Sequence, residues 1–157
     1  MIFLEPEQYQ KNCVQLFNSY QKDISTLLPF AKIEHIGSSA IPNAISKGDL
    51  DIYIEVMPEQ FEFAIEQLKT LNFIEKQNTL RTDELCMLES LNNDDVAFQV
   101  VVTDSVFTFF LTFRNKLMSS PLLVKEYNQL KLACSHLDHD QYRTIKSDFI
   151  NRVLNHL

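Results

Sequence analysis

Glu34-His35-Ile36-Gly37-Ser38-Ser39, followed by Asp49-Leu50-Asp51-Ile52-Tyr53-Ile54, is the stretch whose reading decides the fold. The first half reads as a strand running into a tight glycine turn with two hydroxyls. The second half opens another strand, twelve residues after Gly37, with carboxylates at alternate positions. Alternate strand residues project to one face, so Asp49 and Asp51 point together while Leu50, Ile52 and Ile54 point the other way. Neighbouring carboxylates repel unless a cation lies between them. A hard divalent ion such as Mg²⁺ answers that need, held by one or two carboxylates and completed by substrate phosphates. The N–H groups and hydroxyls of Gly37, Ser38 and Ser39 suit a phosphate. Together these features point to phosphate chemistry on a nucleotide.

Outside this stretch the chain is ordinary, which sharpens the signal. At 157 residues it fits one domain, 1–157. Its two glycines, Gly37 and Gly48, both lie beside the acidic strand, where backbone freedom is needed. The net charge of −7 argues against nonspecific binding to nucleic acid or an anionic membrane, while leaving room for a local basic pocket. Cys13, Cys86 and Cys134 are odd in number and far apart, with no C-x-x-C pair. Neither a zinc knuckle nor a disulfide framework is indicated, and a reducing cytoplasm is the expected setting. The N-terminal residues do not form a signal peptide, and no apolar run is long enough to cross a bilayer.

Tyr9, Cys13, Leu16, Phe17, Tyr20, Ile24 and Leu28 recur at helical spacing, so a helix is predicted over 5–28. Strands are predicted over 31–36 and 49–56, with a turn from Ser38 to Ser46 broken by Pro42. Pro58 opens a helix through Leu71, with Phe61, Ala64, Ile65 and Leu68 on one face. Strands over 82–91 and 96–103 are joined by Asn92-Asn93-Asp94-Asp95, good turn formers, and read as a hairpin. Three closing helices follow, over 105–118, 121–136 and 139–157. The run from Phe107 to Leu117 is apolar on more than one side and is expected to pack against both the sheet and the closing helices. The fold class is α+β, a mixed sheet packed by helices, with a core to about residue 104.

His35-Ile36-Gly37-Ser38-Ser39-Ala40-Ile41-Pro42, then Lys47 and Asp51-Ile52, resembles the HIGST-x-VPG…KP-x-x-D-I signature of GrpB-family proteins. Phe113-Arg114-Asn115-Lys116-Leu117…Pro121…Tyr127…Leu130-Lys131 and Tyr142…Lys146…Phe149-Ile150 are also similar to that family, so the likeness spans nearly the whole chain. The resemblance implies a nucleotidyltransferase-like fold with a Gly-Ser turn and a D-x-D strand. Family members often carry an apolar residue where Asp49 stands, so the full acidic pair strengthens a metal reading. Asn43 replaces the glycine of the VPG element and tolerates a left-handed backbone. Active nucleotidyltransferases carry a third carboxylate on a later strand, and here Gln99 occupies the expected position. A neutral amide is a poorer Mg²⁺ ligand and cannot act as a base.

The resemblance and the residues together nominate Asp49 and Asp51 as metal-holding, catalytic carboxylates. Gly37, Ser38, Ser39, Lys47 and His35 are nominated at the phosphates, with Arg114, Lys131 and Lys146 converging from the closing helices. Each has a plainer alternative: strand-end capping for the acids, an N-cap for the serines, a core histidine for His35, and surface ion pairs for the cations. Tyr127 and Tyr142 are expected to pack the helix interface. Glu34, Glu84 or Glu89 could supply the missing third acid, Glu89 being best placed by the hairpin. Two functions follow. One is a nucleotide-binding protein with Mg²⁺ that transfers an NMP group to an unknown acceptor. The other is a catalytically inactive module binding a nucleotide or a coenzyme A metabolite, since the family's relatives are found fused to dephospho-coenzyme A kinase.

Overall fold

A computed structural model describes residues 1–155. Helix α1 spans Pro6–Leu27. Pro6 sits in its first turn, where its missing N–H costs nothing, and the Gln8 side chain accepts the Glu5 N–H at 2.7 Å. Strands β1 (Lys32–Ile36) and β2 (Leu50–Val56) follow, then α2 (Phe61–Lys69), β3 (Phe73–Glu75), β4 (Leu85–Ser90) and β5 (Val96–Val102). Helices α3 (Phe109–Met118), α4 (Pro121–Ala133) and α5 (His139–Asn155) close the chain. The last two residues of the helix expected over 139–157 lie outside the described residues.

The five strands form one mixed sheet in the order β1-β2-β5-β4-β3. The central pair β2–β5 is parallel, with the α2-β3-β4 segment as its long connection, and every other pair is antiparallel. The 92–95 hairpin is present, joining antiparallel β4 and β5. Strand β3 was not foreseen. Its three residues are too few for alternation to register, and it exists because Phe73 pairs opposite Ser90 and buries its ring against Phe98, 3.9 Å between centroids.

Alternation decides which side of the sheet each residue serves. Leu50, Ile52, Ile54, Phe98, Val100, Cys86 and Leu88 face α1 and α2 and build the main core with Ile24, Phe61, Ile65 and Leu68. Each such buried side chain contributes about 1.5–3 kcal/mol of transfer free energy. The other face carries Ile36, Tyr53, Val101 and Leu85, covered by Phe107, Phe110 and Leu111. The closing helices pack mostly on one another and on Ile41 and Ala44 of the loop after β1, through Phe113, Leu117, Tyr127 and Phe149. The apolar run from 107 to 117 thus divides as its two-sided pattern implied. Where the second face of the sheet is left uncovered, beside Asp51 and Gln99, a cavity opens.

Candidate functional site

Ile36 pairs opposite Asp51, so the chain leaves β1 directly beside that carboxylate. Gly37 has φ of 75°, in the left-handed region. A Cβ there would lie 2.6 Å from Asp51 Oδ2. The glycine therefore serves the acid: only a residue without a side chain lets the backbone turn this close to it. The next residues make a short 3₁₀ turn, Ser38–Ala40, and then a loop with little regular structure.

That loop is held by side chains from two helices and by one of its own. Tyr9 of α1 donates to the Ala44 carbonyl at 2.8 Å, and Gln10 donates to the Ile41 carbonyl at 2.7 Å. Asn128 of α4 accepts from the Ile45 N–H at 3.0 Å and donates to the Asn43 carbonyl at 2.8 Å. Asn43 takes a left-handed φ of 69°, as its place in the loop suggested. Ser46 accepts the Gly48 N–H at 3.0 Å and donates to Asp49 Oδ1 at 3.3 Å, which fixes the first acid. With its backbone donors and acceptors committed this way, a mostly irregular loop can hold one shape.

The cavity that results has a volume of about 330 Å³. It brings together Gly37, Ser38, Lys47, Asp49, Asp51, Arg114, Lys131 and Lys146, all nominated from sequence. Two nominated residues lie elsewhere. His35 pairs opposite Ile52, on the α1 side of the sheet, where its ring stacks on Phe17 at 5.0 Å. Its Nε2 lies 2.7 Å from the hydroxyl of Ser39, which is itself buried. Burial, with Arg114 nearby, depresses the imidazole to about 4, so it is neutral near pH 7. The pair braces the turn from behind, and the reason is register: one residue after His35 is the position facing Asp51.

Asp51 is half-buried and its carboxyl is pushed up to about 6, first by desolvation and then by Asp49. Lys146, a hydrogen bond with Gln99, and Lys76 oppose that rise. Lys146 is held above its ordinary range by Tyr127 first, with Tyr142, Asp51 and Asp49 adding, against the cost of burial. Lys131 behaves oppositely. It is 2% exposed, and its Nζ donates to Ser38 Oγ at 2.6 Å and to the Ile45 carbonyl at 2.5 Å, above the Tyr127 ring. Burial, reinforced by Lys146, lowers it to about 7. Arg114 spends most of its donors within the protein, on Glu34, the His35 carbonyl and Asn115. Tyr127 and Tyr142 pack as expected, on Phe149 and Phe3, and both also line the cavity.

Gln99 lines the cavity floor, 8% exposed, with Oε1 unpartnered. Glu89 lies in the same cross-sheet row as Asp51 with Ala97 between them, and Glu34 is paired to Arg114; neither these nor Glu84 line the cavity. Among the described residues no group of three or more His, Cys, Asp or Glu side chains is placed to hold a metal. Sequence reasoning missed Ser46, Lys76 and Arg143, which also line the cavity. Lys76 and Arg143 read as solvated charges, and nothing in their local sequence says they face the acids.

A mixed five-stranded sheet with a glycine turn beside an acidic strand, closed by C-terminal helices, defines the chain as an α+β protein. Comparison with known proteins narrows the class. The family described as "GrpB protein" matches residues 4–156, and the chain belongs to the GrpB family. It is 53% identical over 154 residues to a UPF0157 protein of Vibrio cholerae serotype O1, covering 98% of this chain and 82% of the relative. A UPF0157 protein of Deinococcus radiodurans is 27% identical over 140 residues, covering 88% and 73%. The crystal structure of the conserved protein GrpB from Enterococcus faecalis superposes with a TM-score of 0.72 at 21% identity, covering 98% of this chain and all of that one. A chain in the structure of the GLD-2/RNP-8 complex matches with a TM-score of 0.52 at 14% identity, over 83% of this chain and 45% of that one. At these identities the structural likeness is one of fold.

Proposed function

We propose that the cavity binds the polyphosphate of a nucleotide together with Mg²⁺ and transfers the NMP group to an acceptor hydroxyl. The observation that carries this is the convergence of the Gly37-Ser38 turn, Asp49, Asp51, Lys131 and Lys146 on one cavity from four parts of the chain. Asp49 and Asp51 fit an Mg²⁺ that arrives with its own phosphates, since two carboxylates without a third acid leave most of its coordination to the ligand and water. Such an ion would neutralise charge on the phosphates and on the acid pair. Lys131 and Lys146 supply fixed positive charge, and Ser38 presents its hydroxyl beside the Lys131 ammonium. The transfer makes a bond from the acceptor oxygen to the α-phosphorus and breaks the bridge to the β-phosphate. Pyrophosphate leaves and the acceptor proton is released, with no covalent intermediate on the protein. Three buried free cysteines fit a reducing, cytoplasmic setting, and no helix among the described residues is long and apolar enough to cross a membrane.

Gln99 favours a second reading, in which the same cavity is a non-catalytic module for a nucleotide or a coenzyme A metabolite. Incubation with labelled nucleoside triphosphates and Mg²⁺ or Mn²⁺ separates the two. Pyrophosphate release that vanishes in Asp51→Asn is the outcome expected of the transferase. Thermal stabilisation by ligand without turnover marks the binding module. Neither response, from any of the four common triphosphates or from coenzyme A and dephospho-coenzyme A, overturns both.

A further inference from the structure

The two serines of the glycine turn face different nitrogen bases. Ser39 is buried, with its hydroxyl 2.7 Å from His35 Nε2. Ser38 is half-buried and lines the cavity, and its Oγ lies 2.6 Å from Lys131 Nζ. Of the two, Ser38 is the one that can offer its oxygen to a molecule in the cavity.

Helix α4 sets Lys131 up for that contact. Asn128 and Lys131 are three residues apart and share a face of the helix. Asn128 holds the loop through the Asn43 carbonyl and the Ile45 N–H, and Lys131 meets the Ile45 carbonyl at 2.5 Å. The centroid of the Tyr127 ring lies 4.1 Å from Nζ. These three neighbours match what a neutral amine offers. One N–H serves the carbonyl, the other faces the ring, and the lone pair is left for the Ser38 O–H. An ammonium in the same place would be a charge at 2% exposure, and among the described residues no ion pair compensates it. Burial and Lys146 therefore disfavour the ammonium, Asp49 favours it, Lys47 disfavours it again, and the net result is the lowering to about 7. A nucleophile within hydrogen-bond reach of a base, which is itself oriented by a third group, is the arrangement that covalent catalysis requires.

We infer that Ser38 is a nucleophile and Lys131 its general base, a hydroxyl–amine dyad that cleaves esters through an acyl-serine. Ser38 Oγ bonds the ester's carbonyl carbon while its proton passes to Lys131 Nζ. The alkoxide leaving group takes that proton as its own bond to the carbon breaks. Water then adds to the acyl carbon, and Lys131 relays its proton to the departing Ser38 oxygen, which frees the carboxylic acid and restores the serine. Lys146 lines the same cavity, and its positive charge favours the transient oxyanion. Phe109, Phe110 and Phe113 share the lining with Lys47 and Arg143, which suits an apolar acyl group on an anionic alcohol. The dyad stands apart from the nucleotide reading.

A fluorophosphonate probe tests it on the intact protein, since an activated serine displaces fluoride from phosphorus and keeps the phosphonyl group. One adduct per chain is expected, mapped to Ser38 by peptide mass. Its rate of formation should rise with pH through about 7, as Lys131 loses its proton. Ser38→Ala should abolish labelling, and Lys131→Met should slow it by at least about a hundredfold. p-Nitrophenyl acetate should release a burst of about one nitrophenolate per chain before steady turnover. The pH profile needs no variant, so it decides the matter even where Lys131→Met fails to fold. No adduct, an adduct elsewhere, or labelling of Ser38 at a rate that is flat from about pH 6 to about pH 8.5 overturns the dyad. So does a folded Lys131→Met protein that is labelled as fast as the original. Each of those results leaves the nucleotide reading standing.

Discussion

At the residue scale, Asp51 is a carboxylate buried beside a second one at a cost to the fold. Its carboxyl is raised to about 6 because burial and Asp49 disfavour the anion. A raised carboxyl binds its proton more tightly when folded than when unfolded. Stability is therefore unaffected well below pH 4, falls as pH rises from about 4 to about 6, and stays reduced above that. Asp51→Asn removes the titration. It should stabilise the unliganded protein by about 1–2 kcal/mol at pH 7.5, after discounting for partial exposure, and by almost nothing at pH 4. Urea denaturation at the two pH values checks this, and equal effects at both would contradict it. A variant that is more stable but inactive also shows that lost turnover reflects chemistry and not misfolding. The acid pair and its glycine were legible in the sequence because strand alternation is local. The partners that tune Asp51, Gln99 on β5 and Lys146 on α5, were nominated separately, but only the fold makes them neighbours.

At the element scale, the closing helices are fastened to the sheet by few contacts, and Arg114 is one of them. Its Nη1 reaches Glu34 Oε2 at 3.2 Å and the His35 carbonyl at 2.9 Å, tying α3 to β1. Sequence reading placed Arg114 at the phosphates, and it does line the cavity, yet its donors are largely spent on this joint. Arg114→Ala should cost about 2 kcal/mol of stability, with a coupling to Glu34→Ala of about 1 kcal/mol in a double-mutant cycle. A coupling near zero would show that the joint does not hold. Other element-scale differences have similar causes. The helix expected over 121–136 ends at Ala133 because the chain then tightens into three-residue turns, Ser135 N–H bonding the Leu132 carbonyl and Leu137 N–H the Cys134 carbonyl. The helices expected to start at Pro58 and Ser105 begin as single 3₁₀ turns before becoming α-helical.

At the scale of the whole molecule, the cavity lies between the second face of the sheet and the closing helices, two bodies that each have a core of their own. One joins the sheet to α1 and α2, and the other joins α3, α4 and α5 to the loop after β1. Asp51 and Gln99 belong to the first body, Lys131 and Lys146 to the second, so an occupied cavity bridges them. Hydrogen exchange should show the central strands β2 and β5 opening last and the closing helices opening earlier. Saturating ATP should slow exchange in α4, α5 and residues 38–49 by about tenfold, while α1 and α2 change little. Protection spread evenly over the chain would argue against a ligand at this junction.

By itself the sequence determined the α+β class, the acidic strand with its glycine turn, and the family whose motifs run through the chain. These depend on alternation, helical spacing and short motifs, all carried by residues near one another in the chain. The tertiary structure alone decided the parallel pairing of β2 with β5, the retreat of His35 and Ser39 behind the turn, and the arrival of Lys76 and Arg143 at the cavity. Each of these is a matter of register or packing between distant segments, and a strand shifted by one residue would present its opposite face.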